Sequence, residues 1–93
     1  MVNAIVLMNV TRGKVNDLAE RLAAMEGISE VYSVGGRYDL VGIIRVKSNE
    51  ELADLVTKEM AKLEGIEYTE TMTAFRAYSR HDLEAMFSIG LEK

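Results

Sequence analysis

The sequence contains no cysteine, no proline and no tryptophan, and its basic residues form no run. Without cysteine the chain has no disulfide, no thiolate metal site and no cysteine nucleophile, which is compatible with a reducing compartment. Its 11 lysines and arginines are outnumbered by 15 aspartates and glutamates, so the net charge is −4. Because phosphate binding needs a concentrated basic face, we predict no direct contact with nucleic acid.

Long apolar runs are also missing. Residues 1–9 carry no basic side chain, and their apolar run is too short for a signal peptide or a membrane span. We therefore expect a cytoplasmic protein that does not engage a membrane. A length of 93 residues predicts a single domain over residues 1–93. Yet 48% of the residues are hydrophobic, more than a small core readily buries, and oligomerisation is one way to cover the excess.

The two halves of the chain resemble each other. The segments Leu22–Ile28 and Met60–Ile66 share four identical residues at an offset of 65 − 27 = 38 positions. At the same offset, the apolar run Ala4–Met8 aligns with Gly42–Val46. Each half contains an apolar run, an amphipathic run, a Glu-Gly-Ile turn and a second extended run. This order predicts a β-α-β unit that occurs twice.

The predicted elements assemble into one known topology. Apolar residues recur at helical spacing after Lys14 and again after the Ser48–Glu51 capping box, and Gly27 and Gly65 end the two helices. The order βαββαβ predicts an α+β, ferredoxin-like fold with a four-stranded antiparallel sheet and both helices on one face. We also predict a short C-terminal helix within residues 79–90. The predicted strands are 4–10, 28–34, 40–46 and 67–78.

The predicted sheet is apolar on both faces. In strand one, Val6 and Met8 point to one side and Ile5 and Leu7 to the other, and strand three repeats this pattern. A strand with one face in water would alternate apolar and polar residues. The second face therefore needs a cover, and we predict that a second subunit lays its sheet against it, as in a dimeric α+β barrel. The alternative is that the C-terminal segment folds over this face.

Two features are candidates for a binding site. The hairpin between strands two and three contains two glycines whose amides can receive a carboxylate, a tyrosine with a polar tip, and an aspartate. Strand four carries threonines at alternating positions, which present a ladder of hydroxyl groups. Ordinary hairpin geometry and the β-propensity of threonine explain the same residues without a ligand. The candidate residues are Gly35, Gly36, Arg37, Tyr38, Asp39, Thr71 and Thr73.

The sequence contains few of the residue patterns that are typical of enzyme active sites. The one histidine, His81, is adjacent to Asp82 rather than at a spacing that pairs two side chains on a helix. No group of histidine and carboxylate residues has metal-ligand spacing, and no serine lies in a nucleophile elbow. Strands one and three also lack the aromatic residues with which an RNA-recognition motif stacks bases. We predict no catalytic residue, no metal and no cofactor.

The hairpin Gly36-Arg37-Tyr38-Asp39-Leu40, the turn Leu63-Glu64-Gly65-Ile66 and the strand Thr69-Glu70-Thr71-Met72-Thr73 resemble one family. They are similar to the effector-binding (RAM) domain of Lrp/AsnC transcription regulators, over roughly residues 2–78. The helix-turn-helix that precedes this domain in the family has no counterpart here, so the sequence resembles the stand-alone class of such domains.

The resemblance implies a module that binds a small effector, typically an amino acid, and that forms oligomers. It implies sheet-on-sheet dimers that assemble into rings of several dimers, octamer-like, with effector sites between dimers formed by the hairpin and strand four. It also implies co-assembly with full-length Lrp/AsnC regulators. Two alternatives stay open: a small dimeric α+β barrel enzyme of monooxygenase or isomerase type using His81 or Tyr38, and a structural partner of a regulator that binds no ligand.

Overall fold

A computed structural model describes residues 1–78 and 80. Four antiparallel strands form one sheet in the order β2-β3-β1-β4, and the helical segments connect β1 to β2 and β3 to β4. This is the predicted ferredoxin-like arrangement. No helix in the described part of the chain has the length and apolar character to cross a membrane. The elements are β1 (Val2–Val10), α1 (Val15–Ala23), β2 (Ile28–Ser33), β3 (Leu40–Val46), α2 (Asn49–Asp54), a π-helical turn (Leu55–Glu59), a 3₁₀ turn (Met60–Lys62) and β4 (Ile66–Thr73).

The hydrophobic core lies between the sheet and the helices. Along β1, every second residue from Ala4 to Val10 is buried, and the residues between them are half-buried on the opposite face. Strand β3 follows the same alternation. The predicted two-sided apolar character of the central strands is confirmed. The buried core consists of Ala4, Val6, Met8, Val10, Leu18, Leu22, Ile28, Leu40, Ile44, Val46, Leu55 and Met60.

The internal repeat is visible in the way its two glycines pack. Gly27 and Gly65 both have positive φ, at 99° and 104°. The carbonyl of Gly27 accepts from the amide of Arg45 at 2.8 Å, and the carbonyl of Gly65 accepts from the amide of Thr11 at 2.7 Å. Each glycine thus ends the crossover of its own half and bonds to the chain at the end of the other half's first strand. Both positions need a residue that tolerates the left-handed conformation.

The second helical segment differs from the predicted single α-helix. The Ser48 hydroxyl caps it by accepting from the amide of Glu51 at 3.2 Å, and the Glu51 carboxylate accepts from the amide of Lys47 at 3.1 Å. After Asp54 the backbone widens to π-helical and then tightens to 3₁₀. The buried residues Leu55 and Met60 are five positions apart, a spacing that the i→i+5 bonding of a π-helix brings onto one side.

Two predictions about the C-terminal part have different outcomes. The prediction that strand four runs from 67 to 78 is wrong, because β4 ends at Thr73. Its partner β1 begins at Val2, and the last bond between them joins the amide of Ala74 to the carbonyl of Asn3 at 2.9 Å. Beyond that point β1 has only Val2 left for pairing, so β4 cannot extend to residue 78 along it. The short helix predicted within 79–90 lies outside the described residues.

Substitution of Gly27 tests the close approach of the two repeats. A Cβ at Gly27 would lie 3.0 Å from Val46 Cγ1 and 3.2 Å from Leu55 Cδ2, both on buried side chains. Gly36 has a similar φ of 112° but open space around it, so Gly36→Ala is the matched control. We expect positive φ to cost both variants about 1 kcal/mol of unfolding free energy, and overpacking to cost Gly27→Ala about 1–3 kcal/mol more. Urea denaturation measures both, and equal losses would contradict the packing argument.

Candidate functional site

The β2–β3 hairpin exposes a short stretch of unbonded backbone. The amide of Val34 donates to the carbonyl of Asp39 at 3.0 Å and closes a four-residue loop, in which Gly36 has a φ of 112°. Among the residues that the structure describes, the four loop amides donate no hydrogen bond. Consecutive free N–H groups in a turn are suited to receiving an anion such as a carboxylate. The loop residues are Gly35, Gly36, Arg37 and Tyr38.

Asp39 holds this loop against the central strand. Its amide donates to the carbonyl of Met8 at 2.8 Å, and its Oδ2 accepts from the amide of Val10 at 2.9 Å. The pairing of β1 with β4 shifts between Asn9 and Val10. One oxygen of the Asp39 side chain therefore accepts from a strand amide at this irregularity and holds the hairpin in place.

Tyr38 connects the hairpin to β4 across the open face of the sheet. Its hydroxyl donates to Glu70 Oε1 at 3.2 Å. Desolvation, the charge of Glu70 and this hydrogen bond raise the pKa of Tyr38, with a smaller contribution from Tyr68, whereas Arg37 lowers it. Tyr38 therefore stays a neutral donor at physiological pH. The site thus places a carboxylate and a guanidinium close to the same tyrosine.

The threonines predicted as part of this site lie on the other side of the sheet. Thr71 is paired with Val6 and Thr73 with Ala4, both of which face the helices, whereas Glu70 is paired with Leu7 on the open face. Directly paired residues point to the same side of a sheet. Within one subunit, the hairpin and the two threonines therefore do not line a common pocket.

Sequence reasoning overlooked two residues of the hairpin site. Glu70 and Tyr68 lie on β4 between the threonines, and Tyr68 is paired with Asn9 on the same open face. The threonine pattern drew attention to the opposite face of this strand. The alternation of side chains along β4 could have identified them. Tyr68, Glu70 and Met72 occupy every second position, and their side chains lie on the face away from the helices.

The open face carries a continuous apolar area. Its central residues Ile5, Leu7, Val41 and Ile43 are half-buried, although no helix of the described chain packs on this side. Large side chains at its margin are more exposed, with Tyr32 at 48%, Tyr68 at 53% and Met72 at 43%. Monomeric proteins rarely leave an apolar area of this kind without a partner.

The described residues contain no group of three or more histidine, cysteine or carboxylate residues able to hold a metal ion. A cavity of about 670 Å³ lies at the opposite end of the sheet from the hairpin, among residues that include Met25, Val46 and Leu55. His81 lies outside the described residues.

A family model for the Lrp/AsnC ligand-binding domain matches residues 3–83. The chain belongs to this family. The regulator FL11 of Pyrococcus furiosus, of helix-turn-helix type, is 36% identical over 75 residues, which cover 81% of this chain and 49% of FL11. The chain therefore spans about half the length of the curated relatives that it matches. In the described residues, the helical segments are crossover connections of the sheet and form no helix-turn-helix.

Several solved structures are similar to this chain. TTHA0845 from Thermus thermophilus is 49% identical with a TM-score of 0.80, covering 86% of this chain and 100% of that one. FFRP-DM1 is 35% identical with a TM-score of 0.77, covering 81% and 100%. The regulator NMB0573 from Neisseria meningitidis, solved in complex with L-Met, is 7% identical and shares the fold, with a TM-score of 0.75 over 85% of this chain and 53% of its own.

Substitution of Asp39 separates its structural role from a role in binding. Asp39→Ala removes the acceptor of the Val10 amide, and Val10 is only 6% exposed. An unpaired buried amide costs about 1–3 kcal/mol, which we expect as a loss of unfolding free energy in urea. Asp39→Asn keeps an oxygen acceptor at this position and should retain most of the stability. Equal losses of unfolding free energy in the two variants would show that the hydrogen bond from the Val10 amide does not account for the loss.

Proposed function

We propose that the protein is a non-enzymatic, cytoplasmic module that binds a small effector and forms oligomers, and that the effector is an amino acid. The observation that carries this proposal is the hairpin, whose four loop amides donate no hydrogen bond within the described chain and whose Tyr38 hydroxyl donates to the carboxylate of Glu70 at 3.2 Å. An amino acid presents the complementary pair of groups. Its carboxylate would accept from the amides, and its ammonium group would donate to Glu70.

Family membership supports this class of ligand. The matching family model describes a ligand-binding domain, and a regulator with the same fold has been solved with L-Met. The enzyme alternative has no such support from the relatives, because FL11 is named a transcriptional regulator. The other alternative is a structural partner of a regulator that binds no ligand, and a binding experiment distinguishes it from an effector-binding module.

A panel of amino acids tests the proposed effector. We expect thermal unfolding to shift upward with at least one of them, since a ligand at 100 times its Kd adds about 2.7 kcal/mol of stability. Glu70→Gln should weaken that ligand about 10- to 100-fold by removing a charged hydrogen bond to the ammonium group. Glu20→Gln, on the exposed side of α1, is the matched control. If no amino acid at millimolar concentration shifts the unfolding temperature, the role of a ligand-free structural partner is favoured instead.

The oligomerisation part of the proposal rests on the open face. We propose that two copies pack their sheets together there, and that such dimers assemble further into a ring. Thr71 and Thr73 would then belong to an effector site only where another subunit brings its hairpin to them. Co-assembly with a full-length regulator of the family would use the same surfaces.

A charge placed at the centre of the open face tests the dimer. Ile43→Lys should prevent sheet packing, because burying an unpaired ammonium group is strongly unfavourable. We expect loss of the open-face dimer in analytical ultracentrifugation, with an unchanged circular dichroism spectrum. Ala23→Lys places the same charge on an exposed position of α1 and should keep the wild-type mass. A wild-type mass for Ile43→Lys would exclude the open face as the interface.

A further inference from the structure

We infer that the cavity lined by Met25, Val46 and Leu55 is a second binding site, and that it takes an organic amine, a molecule with an ammonium group on an apolar body. Its volume of about 670 Å³ falls in the range of small-molecule sites, about 300–1,000 Å³. Its walls are mainly the turn after α1, the end of β3 and the second helical segment. Among the residues that the structure describes, none of the hairpin or of β4 lines it, so this site is separate from the proposed effector site.

The floor of the cavity is apolar and belongs to the hydrophobic core. Val46 and Leu55 are buried members of that core, and Met25 packs against it. A Cβ at Gly27 would lie 3.0 Å from Val46 and 3.2 Å from Leu55, so a side chain at this position would cover both. Because the residue is glycine, the floor stays uncovered there. Such a floor is suited to the hydrocarbon part of a ligand.

A π-helical turn forms one wall of the cavity. Leu55 and Glu59 are the first and last residues of this turn, and both line the cavity. Single π-helical turns within a helix are rare and occur frequently at functional sites. The unusual backbone of the second helical segment and the cavity therefore coincide, which supports a binding role for this end of the sheet.

The charged residues of the lining are predominantly acidic. Arg45 and Lys47 are its basic residues. Arg45 alternates with the buried residues Ile44 and Val46, so its Cβ points to the open face of the sheet and away from the cavity. This leaves Lys47 against four carboxylates, which come from the turn after α1 and from the second helical segment. The acidic residues are Glu26, Glu51, Asp54 and Glu59.

Several of these carboxylates are available to a ligand. The carboxylate of Glu26 has no hydrogen bond or ion pair within the described chain. Asp54 pairs with Lys58 at 3.3 Å, and Glu59 pairs with Lys62 at 3.3 Å, all on the exposed side of one helical segment. Exposed pairs of this kind contribute little stability, so the ammonium group of a ligand can replace a lysine. It would form charge-assisted hydrogen bonds there.

The charge of the lining distinguishes an amine from an amino acid. An amine brings one positive charge to the acidic lining, whereas an amino acid also brings a carboxylate, which the lining repels. The cavity lies on the helix side of the sheet, because Val46 and Leu55 belong to the core beneath the helices. Packing of two open faces would therefore leave it accessible.

Isothermal titration calorimetry of the full chain with phenethylamine tests the proposed site. Hydrocinnamate is the matched control, because it carries a carboxylate in place of the ammonium group on the same phenylethyl body. We expect phenethylamine to bind once per chain and at least tenfold more tightly than hydrocinnamate. Glu26→Gln should weaken the amine at least tenfold by removing a charged hydrogen bond. Glu20→Gln, on the exposed side of α1, should leave its affinity unchanged.

A variant of the hairpin separates this site from the proposed effector site. Glu70→Gln should leave the affinity for phenethylamine unchanged, and Glu26→Gln should leave the thermal shift caused by an amino acid unchanged. Either site can then fail without the other. Three results would overturn the proposal: no binding of phenethylamine at millimolar concentration, equal affinity for phenethylamine and hydrocinnamate, or amine binding that is weakened by Glu70→Gln and not by Glu26→Gln.

Discussion

The structure depends on a central strand that is apolar on both faces. Strand β1 pairs with both β3 and β4, and its alternate residues are buried beneath the helices while the others form the middle of the open face. Both helical connections lie on one side of the sheet. One apolar face is therefore covered within the described chain, and the other is left open, which is the basis of the proposed packing against a second copy.

The same strand also positions the candidate site. Where the pairing of β1 with β4 shifts, the amide of Val10 is met by the carboxylate of Asp39, which anchors the hairpin at this end of the sheet. The loop beyond it is left with free amides, and Tyr38 extends to Glu70. A residue that stabilises the fold thereby orients neighbouring residues that are free to bind.

Much of the fold could be predicted from the sequence because its signals are local. The alternation in β1, the capping box at Ser48 and the glycines at 27 and 65 each report the conformation of their own segment. The π-helical turn could not be predicted this way, because it arises from fitting Leu55 and Met60 to the same side of the core. The end of β4 could not be predicted this way either, because it depends on where the neighbouring strand β1 begins.

The candidate site, too, could be predicted from the sequence only in part. The sequence by itself determined the hairpin, because paired glycines and a following aspartate favour a turn. It also determined the family, through that hairpin, the turn at Gly65 and the threonine strand 69–73. Only the tertiary structure decided which face of β4 the hairpin meets. Pairing with β1 turns Glu70 to the open face and Thr71 to the helices, and such a register depends on contacts between distant segments, which no local pattern of residues encodes.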